Sequence, residues 1–173
     1  MKKSNFKKYI GAIFVFISRQ GFLPANFSPL GSFGFFSNNF VIYFSSILLF
    51  DLFVGGFYKG NIFTYVGFFA YYLFGKLAKN DSTKQAIFLP LASLTFFILS
   101  NLGSWYFWYP HTLTGLAACY IAAIPFYRNT LFSDLIFGYS YIWWKQFQKN
   151  KQINRLKNWS IAEHQQIQLG KNG

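Results

Sequence analysis

An all-α integral membrane protein is expected from three features of the 173 residues: apolar content, scarcity of charge and the lengths of the apolar runs. Of the chain, 53% is apolar and 24% is Phe, Trp or Tyr, while 12% is charged. A soluble domain carries about 25% charged residues, so the polar surface that water demands is missing and lipid is the solvent that fits. The apolar runs approach the roughly 20 residues with which a helix crosses a bilayer core. Residues 1–147 have room for six of them, a six-helix bundle with a broken re-entrant or lid segment after helix 1. Residues 148–173 read as a basic, polar C-terminal tail.

The first run, Tyr9 to Leu23, is short and interrupted by Arg19 and Gln20, so its far end is expected to snorkel at the interface. It has the basic start of a signal peptide but no small-x-small cleavage site before Gln20, and it is read as a retained span. Residues 21–37, GFLPANFSPLGSFGFFS, hold two prolines and three glycines among phenylalanines. Such a run breaks a helix repeatedly yet stays apolar. Irregular backbone at membrane depth is tolerated only where protein or a water-filled cavity satisfies its polar groups, which makes this stretch the first candidate for a site wall. Further spans are expected at Asn38 to Phe57, Asn61 to Ala78, Ala86 to Phe107, Thr112 to Tyr127 and Thr130 to Phe147. The connectors YKG, KNDSTKQ, WYPH and RN carry the charge, Pro or Asn of turns. Trp105, Trp108, Trp143 and Trp144 sit where aromatic belts anchor span ends. Beyond Phe147, Lys, Gln and Asn surround sparse Ile153, Leu156 and Ile167, a pattern for a solvated or surface-lying segment, with Trp159 at the headgroups.

Net charge is +12, with Lys2, Lys3, Lys7 and Lys8 at one end and Lys145, Lys149, Lys151, Arg155 and Lys157 at the other. These clusters flank apolar sequence and form no groove-sized patch, so the lipid bilayer is the expected partner and nucleic acid is not. Six spans put both clusters on one side, and positive charge favours the cytoplasm. The expectation is a multi-pass protein of the inner (cytoplasmic) membrane with both termini cytoplasmic. The Pro/Gly segment, the KNDSTKQ loop and the PFYRN turn then share the outer face, around one entrance.

Ionisable groups within spans are functional candidates, because an unpaired charge in hydrocarbon costs at least about 2.5 kcal/mol. Asp51 and Asp134 are two such groups, each in an Asp-Leu-x-x-Gly string (FDLFVG and SDLIFG) that is either a trace of duplicated three-span units or a coincidence of apolar sequence. For each Asp a structural role, such as pairing with Arg128 or Lys59, stands beside ligand contact. Arg128 and Asn129 offer guanidinium and amide donors for an anionic or amide-bearing solute; the alternative is interface anchoring. Asn26 lies in the broken segment beside Phe27, Phe33 and Phe36, apolar walls with a few convergent polar groups. The substrate-binding set is thus Asn26, Phe27, Phe33, Phe36, Arg128, Asn129 and Asp134. Cys119, among Gly115, Ala117, Ala118, Ala122 and Ala123, reads as small filler on a face that admits close helix approach. Ser104 and His111 lack an orienting third group and a nucleophile elbow, and His111 and His164 make no ligand pair. No catalytic residue, metal or cofactor is expected, and without a Walker motif the chain does not drive transport with ATP by itself.

The strings NFSPLGSFGFF (26–36), SSILLFDLFVGGFY (45–58) and SNLGSWYFWYPHTLTGLAACYIAAIPFYRNTLFSDLIFG (100–138) resemble a family of small uncharacterised bacterial membrane proteins classed as transport proteins, over roughly residues 9–145. That family is similar in turn to the substrate-binding S components of energy-coupling factor transporters. The resemblance implies six helices, cytoplasmic termini and a long first outer loop closing over a vitamin or metal-ion site. It also implies an ATPase-driven energising module as partner, yet S components that share such a module resemble one another in an Ala-x-x-x-Ala patch in helix 1. Here Ala12 is followed by Phe16, so a solitary transporter stays open. The expected function is to bind a small, vitamin-like solute from the outer face and pass it across. The rival is a non-transporting membrane scaffold or assembly factor.

Overall fold

The computed structural model describes residues 2–21, 23–79 and 81–171, with side-chain surroundings described for 9–21, 23–79 and 81–160. Among the described residues every regular element is a helix: α1 (Lys2–Ser18), α2 (Leu30–Phe36), α3 (Phe40–Phe50), α4 (Asn61–Ala78), α5 (Ser82–Trp108) and α6 (Leu113–Lys171). A π-helical turn, Asp51–Gly55, continues α3. The chain divides into two units, Met1–Tyr139 and Ser140–Gly173.

Local chemistry sets several boundaries. Asn39 Oδ1 accepts from the Ile42 N–H at 3.2 Å at the start of α3. Asp81 Oδ1 accepts from the Thr83 and Lys84 N–H groups at the start of α5. Both side chains satisfy donors that have no partner inside the helix. In the first unit α4 and α5 form an antiparallel hairpin, with Phe63 against Phe107 at one end and Phe74 against Phe88 at the other. Short α2 lies close on α4: a Cβ at Gly75 would overlap the Phe35 carbonyl oxygen, so only glycine allows that approach. Tyr43, Ile47, Tyr71 and Leu89 are fully buried at the centre of the core.

Two expectations are corrected. The turn at Arg128–Asn129 does not form, and the expected fifth and sixth spans belong to one continuous helix, α6. Arg is a good helix former, and no Gly offers a left-handed stop there. Pro125 removes one N–H but leaves the chain able to continue past a kink. Tyr127 stacks on Phe97 at 4.4 Å and holds the stretch in register against α5. The broken segment, conversely, contains α2 and is more ordered than its Pro and Gly content implied. Gly60 packs beside Gly103 and Phe107, which brings the YKG and WYPH connectors to one end of the hairpin and puts KNDSTKQ at the other.

Among the described residues, one helix, Ser82–Trp108, is by length and composition long and apolar enough to cross a membrane; Tyr9–Ser18 and Phe40–Gly55 are shorter apolar helices. Large apolar side chains are exposed in helical register. On α4 they are Ile62, Val66, Phe69, Leu73 and Leu77, and on α5 Ile87, Leu91, Leu94 and Ile98. In the second unit Trp143 and Phe147 stack at 5.9 Å, and Leu156 and Trp159 are exposed. His164 and Ile167 lie outside the residues whose side chains are described.

Candidate functional site

The segment between α1 and α2 is tied down by α6. Asn129 Nδ2 donates to the Ala25 carbonyl at 3.0 Å, Ser133 Oγ to the Ser28 carbonyl at 2.5 Å, and Ser32 Oγ to the Asp134 carbonyl at 3.1 Å. Irregular backbone thereby finds donors that its own helix does not supply. Asn26 turns the chain with a left-handed φ of 62°, a conformation that Asn tolerates better than most residues.

Two cavities lie against this segment. One, of about 260 Å³, is bordered by Gly21, by the loop from Leu23 to Ser28 and by Phe50, Tyr71 and Asp134. The other, of about 320 Å³, is bordered by Asp51, Tyr58 and Asn61 on one side and Ser100, Asn101 and Tyr127 on the other. Arg19, Asn26, Phe68, Phe96 and Thr130 belong to both walls. Aromatic faces with a few hydroxyl, amide and charged groups are the usual make-up of a small-molecule site, and the size is at the small end of the usual range, which starts at about 300 Å³.

Of the residues expected from the sequence, Asn26, Phe27 and Asp134 line the first cavity. Asn129 contributes by pinning the segment at Ala25. Phe33 and Phe36 pack inside the bundle instead, Phe33 edge-on to Tyr43 and Phe36 against Phe35. Arg128 borders neither cavity. It is exposed on the face of α6 that also carries Ile121, Ile124, Phe132 and Ile136.

Asp134 is 1% exposed. Tyr71 donates its hydroxyl to Oδ2, while Oδ1 is buried without a hydrogen-bond partner among the described residues, as is Ser93 Oγ. Gly31 makes room for this pair: a Cβ there would stand 2.6 Å from Tyr71 Cζ. The repeat containing Asp134 is not structurally matched by the one containing Asp51, which opens a π-helical turn at the end of α3. π-turns recur at functional sites, and Asp51 Oδ2 accepts from Tyr65 Oη at 2.9 Å, which accepts from Asn61 Nδ2 at 3.1 Å.

Sequence reasoning passed over Arg19. It was assigned to the interface, yet its side chain is 19% exposed and lies 3.9 Å from Asp51. Its guanidinium carbon sits 3.6 Å above the Phe50 ring centre. The signal was an Arg closing an apolar run directly before a Pro/Gly segment. Among the described residues no three His, Cys, Asp or Glu side chains gather as metal ligands.

The model of a family of unknown function (DUF6580) matches residues 2–152, and the chain belongs to that family. No curated protein and no solved structure matches it.

Proposed function

We propose that this member of a family without an assigned function is a multi-pass protein of the inner membrane that binds a small solute beneath the segment between α1 and α2 and carries it across. The observation that carries the reading is the pair of cavities with a shared wall, covered by an irregular segment that two side chains of α6, Asn129 and Ser133, hold in place. A scaffold would have packed this volume solid, since unfilled space forfeits dispersion contacts. The exposed apolar stripes of α4 and α5 support a lipid surrounding, because soluble monomers rarely expose contiguous apolar patches of that extent. The sequence likeness to S components belongs to the same reading in its outer-facing site; the continuity of α6 leaves an odd number of spans, so cytoplasmic placement of both termini is not carried over. Energy would come from a partner module or an ion gradient.

Native mass spectrometry of the full chain, extracted gently from membranes, tests the reading. A small-molecule adduct is expected on the wild type and its loss on Thr130→Trp, which fills the shared wall. An adduct that survives Thr130→Trp, or a bare wild-type mass, contradicts it.

The second reading, a membrane scaffold, draws on Arg128. A guanidinium centred in an exposed apolar stripe, with Ala118 and Ala122 exposed farther along the helix, fits a partner helix that brings an acidic group. Co-purification of a stoichiometric membrane partner that is lost on Arg128→Leu, with no small-molecule adduct, would favour it.

A further inference from the structure

Resting on the cavity reading above, we infer that the solute is a zwitterion with an aromatic side group, an amino acid in type, whose carboxylate meets Arg19 and whose ammonium meets Asp51. Both groups belong to the wall of the larger cavity. Their separation of 3.9 Å exceeds a hydrogen bond, so neither spends its directional bonding on the other. Arg19 stacks on Phe50, and its Nη1 is buried with no hydrogen-bond partner among the described residues. A guanidinium has five N–H donors and no acceptor, and it is suited to a carboxylate. One oxygen of Asp51 takes the Tyr65 hydroxyl; the other faces Arg19.

Charge balance selects the class. The pair is neutral as it stands, and a net charge brought into a weakly polar interior is penalised heavily. A lone carboxylate approaching Arg19 is repelled by Asp51, and a lone amine approaching Asp51 is repelled by Arg19. A molecule with both charges satisfies both groups and leaves the site neutral. Around the pair the walls are aromatic: Phe68 and Phe96 lie 4.7 Å apart, and Phe97 stacks on Tyr127. Rings of this kind receive a flat apolar group through offset or edge contacts.

The test measures binding by the purified full chain in detergent to L-phenylalanine, L-tyrosine and L-tryptophan, with 3-phenylpropionate and 2-phenylethylamine as single-charge probes. At least one amino acid is expected to bind about tenfold or more tighter than either single-charge probe, a difference of about 1.4 kcal/mol. Arg19→Gln is expected to abolish the advantage over the amine, and Asp51→Asn the advantage over the acid. Should either variant fail to fold because one charge is left buried alone, Arg19→Gln combined with Asp51→Asn removes both, and it should fold and bind the zwitterion no better than the single-charge probes. A single-charge probe that matches the best amino acid, an advantage that persists in the double variant, or no binding by any of the three amino acids overturns the inference. If a co-purifying molecule of other chemistry still leaves on Thr130→Trp, the cavity reading stands without the zwitterion; if no molecule binds at all, both fall.

Discussion

At the scale of single residues, Tyr71 and Asp134 form the interaction on which the inner end of the first cavity depends. Both are buried, and the tyrosine hydroxyl is the donor held by Asp134 Oδ2. Tyr71→Phe keeps the ring and removes the hydroxyl, which leaves Oδ2 short of a donor in a site already holding the unpartnered Oδ1. A loss of about 1–3 kcal/mol is expected, read as a lowered midpoint in thermal unfolding of the detergent-solubilised chain. An unchanged midpoint would mean that Asp134 draws its support elsewhere. Asp134 itself was legible in the sequence, because a carboxylate inside an apolar run demands a reason. Its partner was not: a tyrosine in a chain with 12 of them carries no mark that singles it out. Arg19 was misread because a charge near a helix end has an inexpensive exit to the interface, and only the position of Phe50 and Asp51 in space reveals that it turns inward.

At the scale of elements, apolar periodicity fixed most of the helices, and α4 falls on the expected residues from Asn61 to Ala78. Failures came where local chemistry gave a weak instruction. RN between two apolar runs resembles a turn, yet neither residue forbids a helix, and tertiary contacts along α6 decide in its favour. The Pro/Gly segment gave the opposite error, since α2 persists in it through packing on Gly75 and Tyr43 that no sequence window displays. Continuity of α6 is open to a distance measurement. Spin labels on Ile121→Cys and Ile136→Cys, in a Cys119→Ala background, should lie about 22 Å apart along one helix at 1.5 Å per residue. A hairpin at Arg128 would bring the two arms to about 10 Å, the spacing of packed helices.

At the scale of the whole molecule, the apolar composition reaches the surface as the exposed apolar registers of α4 and α5. The interior of the first unit is more polar than those surfaces in several places, with Ser93, Ser133 and Asp134 almost wholly buried. A charged side chain, Asp134, thus reaches a cavity wall while aliphatic side chains lie outside. The same helix carries both faces: Thr130 of α6 belongs to both cavity walls, and Ile136 is exposed on the apolar stripe. The most direct measurement therefore compares Thr130→Cys with Ile136→Cys, each in Cys119→Ala, for labelling of intact cells by a membrane-impermeant maleimide. The account predicts that Thr130→Cys reacts from outside through the aqueous cavity while Ile136→Cys, facing lipid, stays unlabelled. Labelling of Ile136→Cys with protection of Thr130→Cys would contradict it.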